Sequence, residues 1–129
     1  MKKQVIHTTK AAVTGAPLRQ AIRFGDLVFC SGASPRDPNQ GNRVVAGGIQ
    51  EQATQALENL KAVLEASGSG LDHCLKATCY ILDIDQNLPL LNEVWVRYFG
   101  ENIPARTAVG AYKLRENYLL EIEAIAYVP

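Results

Sequence analysis

Arg106 stands in the run ENIPARTAVGA, residues 101–111, beside Ala105, Thr107, Ala108 and Gly110. Residues this small bury little apolar area, so packing alone gives a weak reason for the run. Open space around a guanidinium suits another use. Its planar fork can hold a small carboxylate through two parallel hydrogen bonds. Glu121 lies in the following strand-like stretch, YLLEIEAIAYV, reached through the polar segment LREN. Two neighbouring strands joined by a short turn would put Arg106 and Glu121 on one face. Two readings stay open: a structural ion pair that neutralises two half-buried charges, or an Arg free to grip a substrate carboxylate. Ser31, in FCSGASP, reads either as a strand-end residue entering a glycine turn or as a hydroxyl at the edge of a site.

Other routes to chemistry are poorly supplied. The cysteines are Cys30, Cys74 and Cys79, an odd number with no C-x-x-C, which reads as reduced core thiols in a cytoplasmic protein. His7 and His73 are the only histidines, and no paired spacing points to a metal site or a catalytic triad. SGSG (67–70) and GG (47–48) lack the pattern of a phosphate-binding loop. Thirteen basic residues balance thirteen acidic ones, so no global field gathers nucleic acid or an anionic membrane. Aromatics are 7% of the chain and are not interleaved with basic residues, against a stacking platform for single strands. The N-terminus MKKQVIHTTK has no apolar segment after its lysines, and no apolar run is long enough to span a bilayer.

The elements that must position these groups follow from pattern. At 129 residues, 47% apolar and 20% charged, the chain fits one domain, 1–129, with one core. A short strand at 3–8 and a loop at 9–20 precede a hairpin at 21–32, turning at Gly25-Asp26. Residues 33–48 read as a long loop. Ala53, Ala56, Leu57, Leu60, Val63 and Leu64 recur at helical spacing in 49–70, which the GSG at 68–70 stops. In the strand 74–83, Leu75, Ala77, Cys79 and Ile81 face one way and Lys76, Thr78, Tyr80 and Leu82 the other. A second helix spans 84–100, with Pro89 placed in its first turn. Strands at 105–113 and 118–128 close the chain. The order predicts an α+β fold with a mixed sheet and two helices on one face. Leu120, Ile122, Ala124, Ala126 and Val128 suit the covered face. Leu119, Glu121, Glu123, Ile125 and Tyr127 make the other face too apolar for water and too acidic for a core. A second subunit covering it is expected.

QAIRFGDLVFCSGASPRDP, LPLLNEVWVRYF, IPARTAV and LLEIEAIAYVP together resemble the Rid family, the reactive intermediate deaminases, also called the YjgF family and formerly L-PSP endoribonucleases. The resemblance runs from about Ile6 to Val128. It implies a chorismate-mutase-like fold and a homotrimer whose three sheets form a central barrel, with active sites between subunits. It implies hydrolysis of 2-imino acids, or their enamines, to 2-keto acids and ammonia, with no cofactor and no metal. Arg106 takes the motif position that clamps the substrate carboxylate. Glu121 takes that of the Glu that holds or activates water, Ser31 that of the serine in the SG turn, and Asn92 that of the helix asparagine. Two other readings stay open: a non-catalytic small-molecule-binding trimer in which Arg106 senses a keto acid or amino acid, and the endoribonuclease or translation inhibitor described for some relatives, the nuclease being disfavoured by zero net charge and the lack of a histidine pair.

Two segments depart from the best-known members. APLRQA replaces GPYSQA, which puts Leu18 where Tyr is common and Arg19 where Ser is common, and Ala108 replaces a Cys. Leu18 makes the pocket entrance more apolar, Arg19 adds a cation near its rim, and Ala108 frees volume beside Arg106. These changes point to imino acids with a longer or acidic side chain. The alternative for Arg19 is a side chain that points into solvent.

Overall fold

A computed structural model describes residues 1–129. Its chain order is β1 (Gln4–Ile6), β2 (Ala21–Phe24), β3 (Leu27–Ala33), β4 (Arg36–Asp37), β5 (Arg43–Val44), α1 (Ile49–Ala66), β6 (Cys74–Ile81), α2 (Ile84–Phe99), β7 (Ala105–Gly110) and β8 (Leu120–Tyr127). One sheet of six strands runs β1-β2-β3-β8-β6-β7, and β4 pairs with β5 apart from it. Every pairing in the large sheet is antiparallel except β6 with β7. The expected mixed α+β architecture, with two helices on one face, is what the chain forms.

The core lies between that face and the helices. The apolar stripe of α1 (Ala53, Ala56, Leu57, Leu60, Val63, Leu64) is buried throughout, over Leu120, Ile122, Ala124 and Ala126 of β8. Leu91, Val94, Trp95 and Phe99 bring α2 into the same cluster. Fully burying one Leu contributes about 1.5–3 kcal/mol, so this stripe outweighs any single polar contact in the chain. Glu51 Oε1 accepts from the Gly48 amide at 2.9 Å and ties the start of α1. The helix ends where the Ser67 hydroxyl donates back to the Val63 carbonyl and Gly68 takes φ +86°.

Four expectations need correction. Pro89 is the sixth residue of α2, which begins at Ile84, not a first-turn residue. It has no amide to give the carbonyl four residues back, and it survives because that turn, with Asp85, is exposed to water. Leu75 is 46% exposed while Cys74 is buried. A register shift between Cys74 and Lys76 on β8 reverses the alternation there, as an extra residue in a strand must. The 33–48 segment is not all loop: β4 and β5 form a hairpin within it. Arg36 braces that hairpin, donating to the Asn42 carbonyl (2.8 Å) and the Tyr118 hydroxyl (2.5 Å) and pairing with Glu116 (2.8 Å).

The fourth correction governs the site. β7 and β8 are not neighbours; β6 lies between them. The chain leaves β6, crosses through α2 and returns as β7 parallel to β6, and β8 then lies antiparallel on the opposite side of β6. Helix-linked strands take parallel pairing because the crossover is long enough to reverse direction twice.

The sheet face away from the helices carries Leu27, Phe29, Tyr80, Val109, Ile125 and Tyr127, with Glu121 and Glu123 among them. Leu27, Phe29, Val109 and Tyr127 are exposed. The half-apolar open face read from β8 therefore extends over most of the sheet.

Candidate active site

Arg106 faces the helices. In parallel pairing it stands opposite Ala77, a fully buried residue of the core face. Its guanidinium donates to Asn92 Oδ1 at 2.8 Å and lies 5.2 Å from the centre of the Trp95 ring. Asn92 and Trp95 are three apart on α2 and so share one helix face. The ring supports the cation from below and the amide fixes its rotation. No carboxylate lies in ion-pair range of Arg106; the three ion pairs of the chain are Arg23–Asp26, Arg36–Glu116 and Arg115–Glu116. The structural Arg106–Glu121 pair is thus not formed, and the fork keeps donors unspent on any acid.

The small residues around Arg106 have more than one cause. Ala108 follows it on the core face and packs at the edge of the core. Gly110 has a packing reason that the sequence did not show. A Cβ there would stand 3.1 Å from Ile84 Cγ2, so the glycine lets the first turn of α2 sit against β7. At Gly110 the space is therefore taken up by the helix, not by a ligand.

Glu121 faces the other way. It pairs with Tyr80, on the open face, and is half-buried. Desolvation raises its carboxyl above the usual carboxylate range; Arg115 pulls it partly back and Glu123 raises it again. Tyr80 donates to Glu123 Oε1 at 2.5 Å, so the second Glu already has a proton donor. Beside Glu121, β3 shifts register between Cys30 and Ala33 against β8. Gly32 lies in that irregularity, where a Cβ would come within 2.7 Å of Glu121 Oε2. Glycine there is what lets the carboxylate lie against the backbone of the turn.

Ser31 belongs to the same group. Its hydroxyl donates to the Arg19 carbonyl at 2.6 Å, and its amide to the Gln20 carbonyl at 3.0 Å. Ser31, Leu18, Arg19 and Phe29 line one open cleft of about 700 Å³. Arg19 therefore stands at this cleft, and Leu18, 52% exposed, forms part of its apolar wall.

The residues singled out in the sequence thus form two groups. Arg106, Asn92 and Ala108 lie on the helix side of the edge strand β7. Ser31, Glu121, Leu18 and Arg19 lie on the open face, around β3 and β8. Adjacent strands are about 4.8 Å apart, so β7 and β8 are separated by roughly 10 Å as well as by the sheet itself. Trp95, which carries the Arg106 cation, was not among the candidates; its place one helical turn after Asn92 was the available signal.

The cysteines match their expected role. All three are buried and unpaired. Burial pushes Cys30 and Cys79 up to about 12 and Cys74 up to about 11, which keeps them as thiols and removes them as nucleophiles. His73 packs against Tyr127 with the rings tilted by 57°, and its Nδ1 is 3.2 Å from the phenol oxygen. No group of His, Cys, Asp or Glu has the geometry to hold a metal ion, and no helix is long and apolar enough to cross a membrane.

Residues 8–128 match the family described as Endoribonuclease L-PSP. The chain is 43% identical over 127 residues to a RutC family protein of Pyrococcus abyssi, covering 98% of each chain. It is 36% identical over 124 residues to the 2-iminobutanoate/2-iminopropanoate deaminase of Homo sapiens, covering 96% of this chain and 89% of that one. Among solved structures, E. coli TdcF with bound serine matches with a TM-score of 0.89 at 34% identity, over 96% of this chain and 98% of that one.

Proposed function

The chain belongs to the endoribonuclease L-PSP family, the Rid family its motifs resemble, and on that premise we propose that it hydrolyses 2-imino acids to 2-keto acids and ammonia. Residues 1–129 act as one Rid-like domain, in the cytoplasm. The observation that carries this reading is the Arg106 guanidinium, held by Asn92 and Trp95 with no acid to neutralise it. Relatives named as 2-imino acid deaminases point the same way, and a relative with bound serine shows that a small amino acid fits a protein of this fold.

In the reaction, Arg106 takes the substrate carboxylate and so fixes C2. Water adds to C2 as the C=N π pair moves onto nitrogen, which gains a proton. The resulting carbinolamine loses ammonia as its hydroxyl proton leaves and C=O forms. Imines hydrolyse unaided, so placement and a proton route are enough. Glu121 accepts the proton of the attacking water and faces the cation that develops as nitrogen is protonated. Ser31, next to it at the bulge, orients the same water or the substrate.

Because the two residue groups lie on opposite sides of one sheet, a complete site needs a second copy. The β7 edge of one subunit supplies Arg106 and the open face of the next supplies Glu121 and Ser31. A homotrimer closes this arrangement by threefold symmetry and covers Ile125 and Tyr127. Light scattering is expected to give three times the chain mass at micromolar concentration; a monomer would remove the shared site.

Freshly generated imino acid, trapped as its semicarbazone with and without the protein, tests the reaction. Faster loss of the imine is expected, and no acceleration over a panel of L- and D-amino-acid imines would refute it. The rate is expected to rise with pH through a limb above the ordinary carboxylate range, since Glu121 must be ionised to take a proton. Glu121→Gln should remove that limb. The stability effect has the opposite sign. The folded chain holds this proton more tightly than the unfolded one, so Glu121 contributes stability below its unfolded-state pKa. That contribution is lost as pH rises through the raised folded value.

Gly32→Ala gives a separate check. The new methyl must displace the Glu121 carboxylate, the mobile end of a side chain. Fold and assembly should persist while kcat falls by up to roughly a hundredfold, the scale of a misplacement of about 1 Å. An unchanged kcat would show that the position of Glu121 does not matter to the chemistry.

A further inference from the structure

The open-face cleft has a composition that the carboxylate clamp does not explain. Its charged residues are Lys3 and Arg19, and it has no acidic residue in its lining. Neither cation is in an ion pair. Leu18 and Phe29 supply its apolar walls and Ser31 also lines it; Gly32, the next residue, lies against Glu121 Oε2. The Arg19 carbonyl accepts from Ser31 Oγ at 2.6 Å, so the backbone that carries this Arg is tied to the site.

Resting on the deaminase reading above, we propose that Arg19 and Lys3 bind a second carboxylate, and that the enzyme favours imino acids of dicarboxylic amino acids, the imine of glutamate first. With C2 held by Arg106 of the adjacent subunit and water held by Glu121, the substrate side chain runs away from both. The cleft offers it short apolar walls, for the methylenes, and then two cations with no competing acid. A purely aliphatic side chain satisfies the walls but leaves both cations without a partner. A short one, as in alanine imine, reaches neither. A carboxylate two methylenes beyond C2 uses both parts of the cleft.

The test compares kcat/KM for the imines of glutamate, leucine and alanine, each made in place by an amino-acid oxidase. The wild type is expected to favour glutamate imine. The Lys3→Ser/Arg19→Ser double variant should lower the glutamate-to-alanine ratio by about tenfold, the scale of a lost charge-assisted contact. Added salt should lower the wild-type ratio and leave that of the double variant flat. Preference for leucine imine, or a ratio the double variant does not move, overturns the proposal. Calorimetry with the stable keto acids separates it from the deaminase reading. If no imine is turned over, yet 2-oxoglutarate binds more tightly than 2-oxobutanoate and loses that advantage in the double variant, the cleft assignment stands and the reaction falls. If alanine imine is turned over and 2-oxoglutarate has no advantage, the reaction stands and the cleft assignment falls.

Discussion

Arg106→Ala is expected to lower kcat/KM for imino acid hydrolysis by a hundredfold or more while leaving fold and assembly in place. A charge-assisted bidentate contact is worth on the order of 3 kcal/mol, and each 1.36 kcal/mol is about tenfold in rate. The loss should appear in kcat as well as KM, because the clamp orients C2 for water as well as binding it. Arg106→Lys should recover little. A lysine ammonium is a point charge without the fork, and it cannot both donate to Asn92 and present two parallel donors to a carboxylate. The fold should tolerate the truncation because Arg106 is only partly buried and makes no ion pair. Removing it leaves Asn92 Oδ1 without this donor, a cost of about 1 kcal/mol. Near-normal turnover by Arg106→Ala, with circular dichroism unchanged, would remove the clamp from the mechanism.

The elements were more legible than their pairing. The α1 stripe from Ala53 to Leu64 has the helical period and nothing to compete with it, and each of its positions is buried. The alternation of β8 likewise predicts which residues meet the helices, since a strand with one buried face must alternate. The misreading was of neighbours. Sequence proximity and a polar connection made β7 and β8 look like a hairpin. Yet β6, α2 and β7 form a strand–helix–strand unit, whose usual outcome is parallel pairing of its two strands. That rule gives the parallel pairing of β6 with β7; the place of β8 on the far side of β6 is set by the sheet as a whole.

The consequence for the site is large. With β7 parallel to β6, Arg106 aligns with Ala77 and turns to the helices; as the antiparallel neighbour of β8 it was free to face Glu121. Its partners then come from α2, which is why Asn92 and Trp95 hold it. Asn92 was visible through the family motif. Trp95 was not, because a tryptophan at helical spacing reads as core, and most of its ring is core. The packing role of Gly110 is hidden from the sequence for a related reason. A glycine that admits a side chain from another element, here Ile84, leaves no mark in the local sequence. At Glu121, by contrast, alternation along β8 gave the correct face without any knowledge of its neighbours.

The separation of Arg106 from Glu121 gives the second large expected effect, which depends on how subunits share sites. Arg106→Ala and Glu121→Ala should each be nearly inactive alone. Unfolded together in equal amounts and refolded, they should regain activity. A site is intact when its Arg comes from the Glu121→Ala chain and its Glu from the Arg106→Ala chain. Random assembly makes that about one quarter of sites. A control uses the double variant mixed equally with wild type. If sites lie between subunits, both groups must again come from intact chains, so about one quarter of sites work. If each subunit held a complete site, the first mixture would show no recovery and the second would keep about one half. The two arrangements therefore differ in both mixtures and in opposite directions. Recovery near a quarter in each is expected, because β6 stands between the two strands and the sheet stands between the two side chains. A substrate with a single carboxylate beside its imine carbon cannot reach around that barrier within one chain. In the proposed trimer it reaches across an interface, with the exposed edge of β7 in one copy against the half-apolar face of the next.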